Sequence, residues 1–181
     1  MGGKIISTGG GPSTFYKDAT NQGEIRTSPG AFTVFFGSVS GAGSFTGTGT
    51  VNLEGDLSPG NSPATVQFGG NLAFDSSASL KIELGGSTPG TLYDQVHVSG
   101  QLSLDGQLKV SLLGTYMPVP GQSFDILDWG NLVGTFSALQ LPALTSGAWN
   151  TAQLYSSGVL SVVSGLVGDY NGNGVVDAAD Y

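Results

Sequence analysis

The chain has 181 residues, of which 39% are hydrophobic and only 10% charged, against about a quarter charged in ordinary globular proteins. Five basic side chains face thirteen acidic ones for a net charge of −8, and Lys4, Lys17, Arg26, Lys81 and Lys109 stand singly, which excludes an electrostatic nucleic-acid binder. Cysteine is absent, which removes disulfides, thiolate metal sites and a Cys nucleophile, and no apolar run approaches the roughly eighteen residues of a membrane span.

The first residues, Met1-Gly2-Gly3-Lys4-Ile5-Ile6-Ser7, lack the apolar stretch of a signal peptide. Enrichment in Gly, Ser and Thr with no Cys is compatible with secretion. The expectation is therefore a fragment of an exported protein whose signal lies upstream. Residues 1–17 read as an incomplete first rung or a disordered lead-in.

Residues 18–115 carry short alternating runs closed by Gly, Ser, Asn, Asp or Pro, the pattern of strands and turns. Examples are Thr65-Val66-Gln67-Phe68, Asn71-Leu72-Ala73-Phe74, Ser79 to Leu84, Asp94 to Val98 and Gln107 to Leu112. Apolar residues two apart put one face in a core and the other in water. Helical periodicity is almost missing. The close spacing of the strands favours a solenoid whose rungs stack their apolar residues. Small residues from Gly37 to Val51 suit its tight corners. An antiparallel sandwich serves the same alternation and stays open.

From Tyr116 the texture changes. The breaker cluster Met117-Pro118-Val119-Pro120-Gly121 precedes Ser123 to Trp129, and both tryptophans, Trp129 and Trp149, lie in this part. Since a stacked solenoid exposes an apolar end, residues 116–164 read as its cover, made of antiparallel strands or a small β-sandwich.

Three segments in order, Asp56-Leu57-Ser58-Pro59-Gly60-Asn61-Ser62-Pro63-Ala64, Leu80 to Gly86 and Tyr93 to Gly100, carry a resemblance. It continues through Phe124-Asp125-Ile126-Leu127 and Gly134-Thr135-Phe136 to Gly158-Val159-Leu160-Ser161-Val162. Residues 40–163 resemble the passenger-type β-helix of autotransporter-associated β-strand repeat proteins, large bacterial surface or secreted proteins. The resemblance implies an all-β, right-handed parallel β-helix, a cell-surface or extracellular location and a structural or adhesive role without catalytic residues. Independently of the resemblance, the low charge leaves a Ser/Thr/Asn face able to make polar contacts with glycans or neighbouring cell surfaces.

The C-terminal stretch, within residues 165–181, reads Asp169-Tyr170-Asn171-Gly172-Asn173-Gly174-Val175-Val176-Asp177-Ala178-Ala179-Asp180. Oxygen ligands at positions 1, 3, 5, 9 and 12, with Gly at 6, match a calcium-loop spacing. Asp169, Asn171, Asn173 and Asp177 would supply side-chain oxygens, Val175 its carbonyl, and Asp180 would close the shell around Ca²⁺. Asp rather than Glu in the last place resembles the loop of a type I dockerin repeat. A dockerin has two loops, each followed by a helix, so this truncated loop is expected to bind Ca²⁺ weakly. A cohesin-type partner follows only if the module were complete.

Catalytic candidates are few. His97, the only histidine, faces away from Val96 and Val98 and reads as a solvent-facing strand residue. Asp125 and Asp128 form a conceivable glycosidase pair, but three residues apart on one strand they would point to opposite faces. No cationic cluster of the lyase kind can be assembled from five scattered bases. Tyr16, Tyr93, Tyr116, Trp129, Trp149 and Tyr155 are the pool for sugar stacking. The resulting expectation is a non-catalytic scaffold or adhesin-like segment. The alternatives are a carbohydrate-binding module and, less favoured, a polysaccharide lyase or hydrolase.

Overall fold

A computed structural model describes residues 3–60, 63–165 and 178. The alternating runs fold into short strands that return to the same side of the molecule once per coil. The first coil holds β1 (Lys4–Ser7), β2 (Pro12–Phe15) and β3 (Ala19–Thr20). The second holds β4 (Glu24–Thr27), β5 (Phe32–Phe35) and β6 (Val39–Gly41), and the third β7 (Ser44–Thr46), β8 (Thr50–Leu53) and β9 (Asp56–Pro59). Next come β10 (Thr65–Phe68), β11 (Asn71–Phe74) and β12 (Ser79–Leu84). In the fifth coil one long strand, β13 (Gln95–Leu104), takes the first two places and β14 (Gln107–Leu112) the third.

The ladders formed by these strands are parallel. Lys4 stands beside Glu24 and Glu24 beside Ser44, and β10 pairs in turn with β13. The fold is all-β and solenoid-like, and the antiparallel sandwich is excluded for this region. Alternation alone could not separate the two plans, because a half-buried strand looks the same whichever way its neighbour runs.

Parallel register stacks like on like. Ala19, Val39, Leu57, Leu80, Leu108 and Leu139 form one inward column. Thr33, Val51, Leu72, Leu102 and Leu132 form another. Aromatics stack as well: Phe15 lies 4.7 Å from Phe35 and Phe45 lies 4.5 Å from Phe68, ring centre to ring centre. Where a column turns polar, its hydroxyls satisfy one another. Thr33 Oγ1, fully buried, lies 2.8 Å from Ser7 Oγ and 2.7 Å from Thr27 Oγ1.

One corner demands glycine. Gly49, Gly70, Gly100 and Gly130 stack where the first side of each coil meets the second. A Cβ on Gly70 would run into the Gly49 carbonyl, and one on Gly100 would lie 2.8 Å from the Gly70 carbonyl. Backbones pass too closely there for any side chain.

The segment after Tyr116 contributes two structures. β16 (Leu127–Gly134) and β17 (Ala138–Gln140) extend the parallel ladders from β13 and β14. β15 (Ser123–Asp125), β18 (Ala148–Asn150) and β19 (Val159–Val163) form a separate antiparallel sheet in the order β15-β19-β18. A single turn of helix, α1 (Leu154–Ser157), buries Leu154 and ends at Gly158 with φ 74°. Helical periodicity could not have announced four residues. Phe124, Leu160 and Val162 from this sheet join the main core. No helix among the described residues is long and apolar enough to cross a membrane.

Leu80 is completely buried within its column, so Leu80→Ala is expected to lower the free energy of unfolding by about 2–5 kcal/mol. Val133→Ala, on the exposed face, should change it by less than about 0.5 kcal/mol. Urea unfolding followed by tryptophan fluorescence measures both.

Candidate functional site

The residues singled out as catalytic candidates do meet, in a way their spacing argued against. Asp125 and Asp128 are not on one strand. Asp125 ends β15 in the antiparallel sheet, and Asp128 belongs to β16 in the parallel ladder. Between them Ile126 is buried, its N–H donating to the Gly158 carbonyl at 3.0 Å and its carbonyl accepting from Val96 N at 3.0 Å. The chain changes sheets at that residue. The expectation that the two carboxylates face opposite ways is therefore corrected: Gln95 Nε2 reaches Asp125 Oδ2 at 3.3 Å and Asp128 Oδ2 at 3.4 Å.

His97 joins the group because β13 and β16 pair it directly with Asp128. Its Nδ1 lies 3.5 Å from Asp128 Oδ2, and both side chains are close to half exposed. Tyr93 closes the other side, its phenol oxygen accepting from Asp125 N at 3.3 Å. Burial pushes the Asp125 carboxyl up and the negative charge of Asp128 adds to it, while His97 acts in the opposite sense. Burial likewise raises the Tyr93 phenol. Asp125 Oδ1 is buried with no hydrogen-bond partner among the described residues.

This arrangement has the elements of proton chemistry without a chamber for it. The adjoining hollow, lined by Leu127, Asp128, Trp129, Ser156 and Ser157, has about 130 Å³. Enclosing a small organic ligand takes roughly 300 Å³ or more. The amide of Gln95, on β13, spans the two carboxylates and ties the last coil to the cover.

A larger cavity of about 400 Å³ lies on the sheet formed by β9, β12 and β14, with Ser58, Pro59, Lys81, Glu83, Lys109 and Ser111 in its lining. Lys81 and Lys109 are register neighbours, and Lys81 Nζ is held by Asp56 Oδ2 at 2.6 Å. Burial works against the ionised Asp56, but hydrogen bonds from Lys81 and Ser79 and the positive charges of Lys81 and Lys109 together outweigh it and hold the carboxyl below its usual range.

Asp94, deep in the wall, is 1% exposed. Its Oδ1 accepts from Ala64 N at 2.7 Å and its Oδ2 from Glu83 N at 2.9 Å. It thus clamps the excursion between β12 and β13 to two neighbouring segments. Burial pushes its pKa up to about 6, and the charge of Glu83 adds to the shift. Sequence reading passed over Asp94, because nothing local tells that residue 94 returns beside residue 64.

Of the aromatic pool, Tyr16 is 76% exposed and stacks on Phe36 with centroids 5.3 Å apart and planes 7° from parallel. Tyr93 is buried; Tyr116, Trp129, Trp149 and Tyr155 are half-buried and pack against the core. Trp149 Nε1 donates to the Pro142 carbonyl at 2.8 Å. The calcium-loop residues Asp169, Asn171, Asn173, Val175, Asp177 and Asp180 lie outside the described residues.

Asp94 sets a pH dependence. Its folded pKa, about 6, exceeds the unfolded value near 3.9, so the folded chain holds its proton longer. Stability is expected to fall as pH rises from about 4 to about 6, by on the order of 2 kcal/mol. Melting temperatures across that window should show the decline, and Asp94→Asn should flatten it. No protein-family model and no curated protein sequence matches the chain.

Proposed function

We propose that this chain is a non-catalytic, structural or adhesin-like segment of a larger secreted or surface-displayed bacterial protein, built as a right-handed parallel β-helix. Its work is mechanical: to hold an outer surface of Ser, Thr, Asn and Gln side chains at a fixed spacing for contact with glycans or neighbouring cells. The observation that carries the reading is the in-register parallel stack, whose inward columns are mainly apolar and whose outward positions are mainly polar. Asn71 beside Thr50 and Asn131 beside Gln101 are outward rungs joined by side-chain hydrogen bonds at 3.3 Å, and Gln140 reaches diagonally to Gln107 at 3.1 Å. Such ladders stiffen a surface without creating a reactive centre.

The loop from Asp169 to Asp180 adds a weak Ca²⁺ site of dockerin-like spacing to this proposal. Calorimetry on the whole chain is expected to detect Ca²⁺ binding that Asp169→Ala abolishes; unchanged binding in that variant rejects the site.

A second reading, a carbohydrate-binding module, is favoured by one observation, the exposed stacked pair Tyr16 and Phe36. A flat ring open to solvent is a platform for the apolar face of a sugar. A glycan array separates the two: saturable binding of a defined polysaccharide that Tyr16→Ala removes selects the module, and its absence selects the scaffold. Turnover of a polysaccharide, lost when Asp125, Asp128 and His97 are replaced together, would overturn both.

A further inference from the structure

The coil that contains β12 is longer than the first, and its extra chain builds a wall. Thirty residues separate Thr65 from Gln95 in the ladder, whereas twenty separate Lys4 from Glu24. The added stretch folds back on the end of β12: Gly85 N donates to the Leu92 carbonyl at 2.6 Å and Asp94 N to the Glu83 carbonyl at 3.0 Å. Burying a carboxyl costs free energy unless it is hydrogen-bonded, and Asp94 is bonded by Ala64 N and Glu83 N. Those bonds hold one side of the cavity of about 400 Å³ on β9, β12 and β14. The ladder continues past it in both directions, through β6 and β17.

Polar groups in this cavity are left unpaired. On other rungs an outward side chain bonds to its neighbour, as Asn71 does to Thr50 and Thr46 to Glu24. The side chains of Ser58, Glu83, Lys109 and Ser111 make no hydrogen bond or ion pair with any described residue. Four outward positions form a square. Register sets Lys109 beside Lys81 and Ser111 beside Glu83, roughly 5 Å apart across the rungs and roughly 7 Å apart along each strand. Buried Pro59 and Val110 give the hollow an apolar floor.

Charge is out of balance there by one cation. Lys81 and Lys109 are two of only five basic side chains in the chain, and like charges on adjacent rungs repel. Asp56 compensates Lys81 at 2.6 Å. Among the described residues no carboxylate lies within ion-pair distance of Lys109. Glu83, at the opposite corner of the square from Lys109, is a strong acceptor to which nothing donates. We propose that the cavity binds a uronic acid residue of a glycan, its carboxylate on Lys109 and its hydroxyls on Glu83, Ser58 and Ser111. The assignment rests on the reading of the outer surface as one that contacts glycans.

Functional groups select this class. A sugar carboxylate meets the uncompensated ammonium in a charge-assisted hydrogen bond, about twice as strong as a neutral one. Hydroxyls on the same ring donate to Glu83, and the C–H face of the ring covers Pro59 and Val110. A bare sulfate or phosphate would satisfy Lys109 and leave Glu83 facing a second anion with no donor. A neutral sugar would satisfy Glu83 and leave Lys109 alone. The hollow has the size of a small-ligand pocket, roughly 300 Å³ or more. Its rim carries the exposed Lys81 and Ser111, so a ring within a longer chain can enter from the side.

Calorimetry on the whole chain tests this with trisaccharides of glucuronic, galacturonic and mannuronic acid, each beside its carboxyl-reduced neutral form. At least one acidic trisaccharide is expected to bind saturably, at least about tenfold more tightly than its neutral form. Lys109→Gln should remove that preference and Lys109→Arg keep it. Ser111→Trp, which fills the hollow, should abolish binding, with circular dichroism unchanged in all three variants. Added salt should weaken the acidic ligand selectively, and Tyr16→Ala should have no effect. No saturable binding of an acidic trisaccharide, equal affinity for the neutral forms, or acid-selective binding that survives both Lys109→Gln and Ser111→Trp would each overturn the site. If a neutral polysaccharide nevertheless binds on the glycan array, only this site is rejected. Silence across the array rejects the glycan-contacting reading as well and leaves the mechanical scaffold.

Discussion

Parallel, in-register pairing is the constraint on which the rest of this molecule depends. Once Lys4 sits beside Glu24 and Glu24 beside Ser44, each residue has a residue of equivalent position above and below. A Leu therefore stacks on a Leu, a Phe on a Phe, and a hydroxyl on a hydroxyl. The column from Ala19 to Leu139 and the Ser7–Thr33–Thr27 hydroxyl group obey the same rule with different chemistry. The first gains by removing apolar surface from water, the second by mutual hydrogen bonding of groups too deep to reach water.

The same rule explains the composition. Repetition brings backbone against backbone at each corner, and the Gly49–Gly70–Gly100–Gly130 stack shows what such a corner tolerates. A chain built this way accumulates Gly, Ser and Thr and has little use for charge, since like charges in register would repel at every rung. Lys81 and Lys109 are the exception, and Asp56 stands against them with a 2.6 Å contact to Lys81.

The alternation and the turn residues made the strands, their approximate places and their inward faces legible from sequence. Strand direction was not legible from the alternation itself, because it depends on where the chain goes between strands; the close spacing of the runs favoured the parallel solenoid that the ladders show. The Asp125 and Asp128 pairing was misread for a definite reason. Period-two reasoning assumes one continuous strand, and Ile126 breaks it by bonding to two different sheets. Asp94 was invisible because its partners, Ala64 and Glu83, are brought to it only by the coil. The α1 turn is too short for periodicity to register.

The excursion between β12 and β13 carries a consequence for how such proteins change over time. It lengthens one coil so that Thr65 is followed by Gln95 in the ladder, thirty residues on instead of twenty, and β13 nevertheless pairs with β10 residue for residue from Gln95 to Val98. New loops can therefore be added at a corner, or old ones trimmed, without renegotiating the interior. Surface novelty and interior conservatism are decoupled in this design, and the buried carboxylate that pins the added loop shows how little is needed to make an addition permanent.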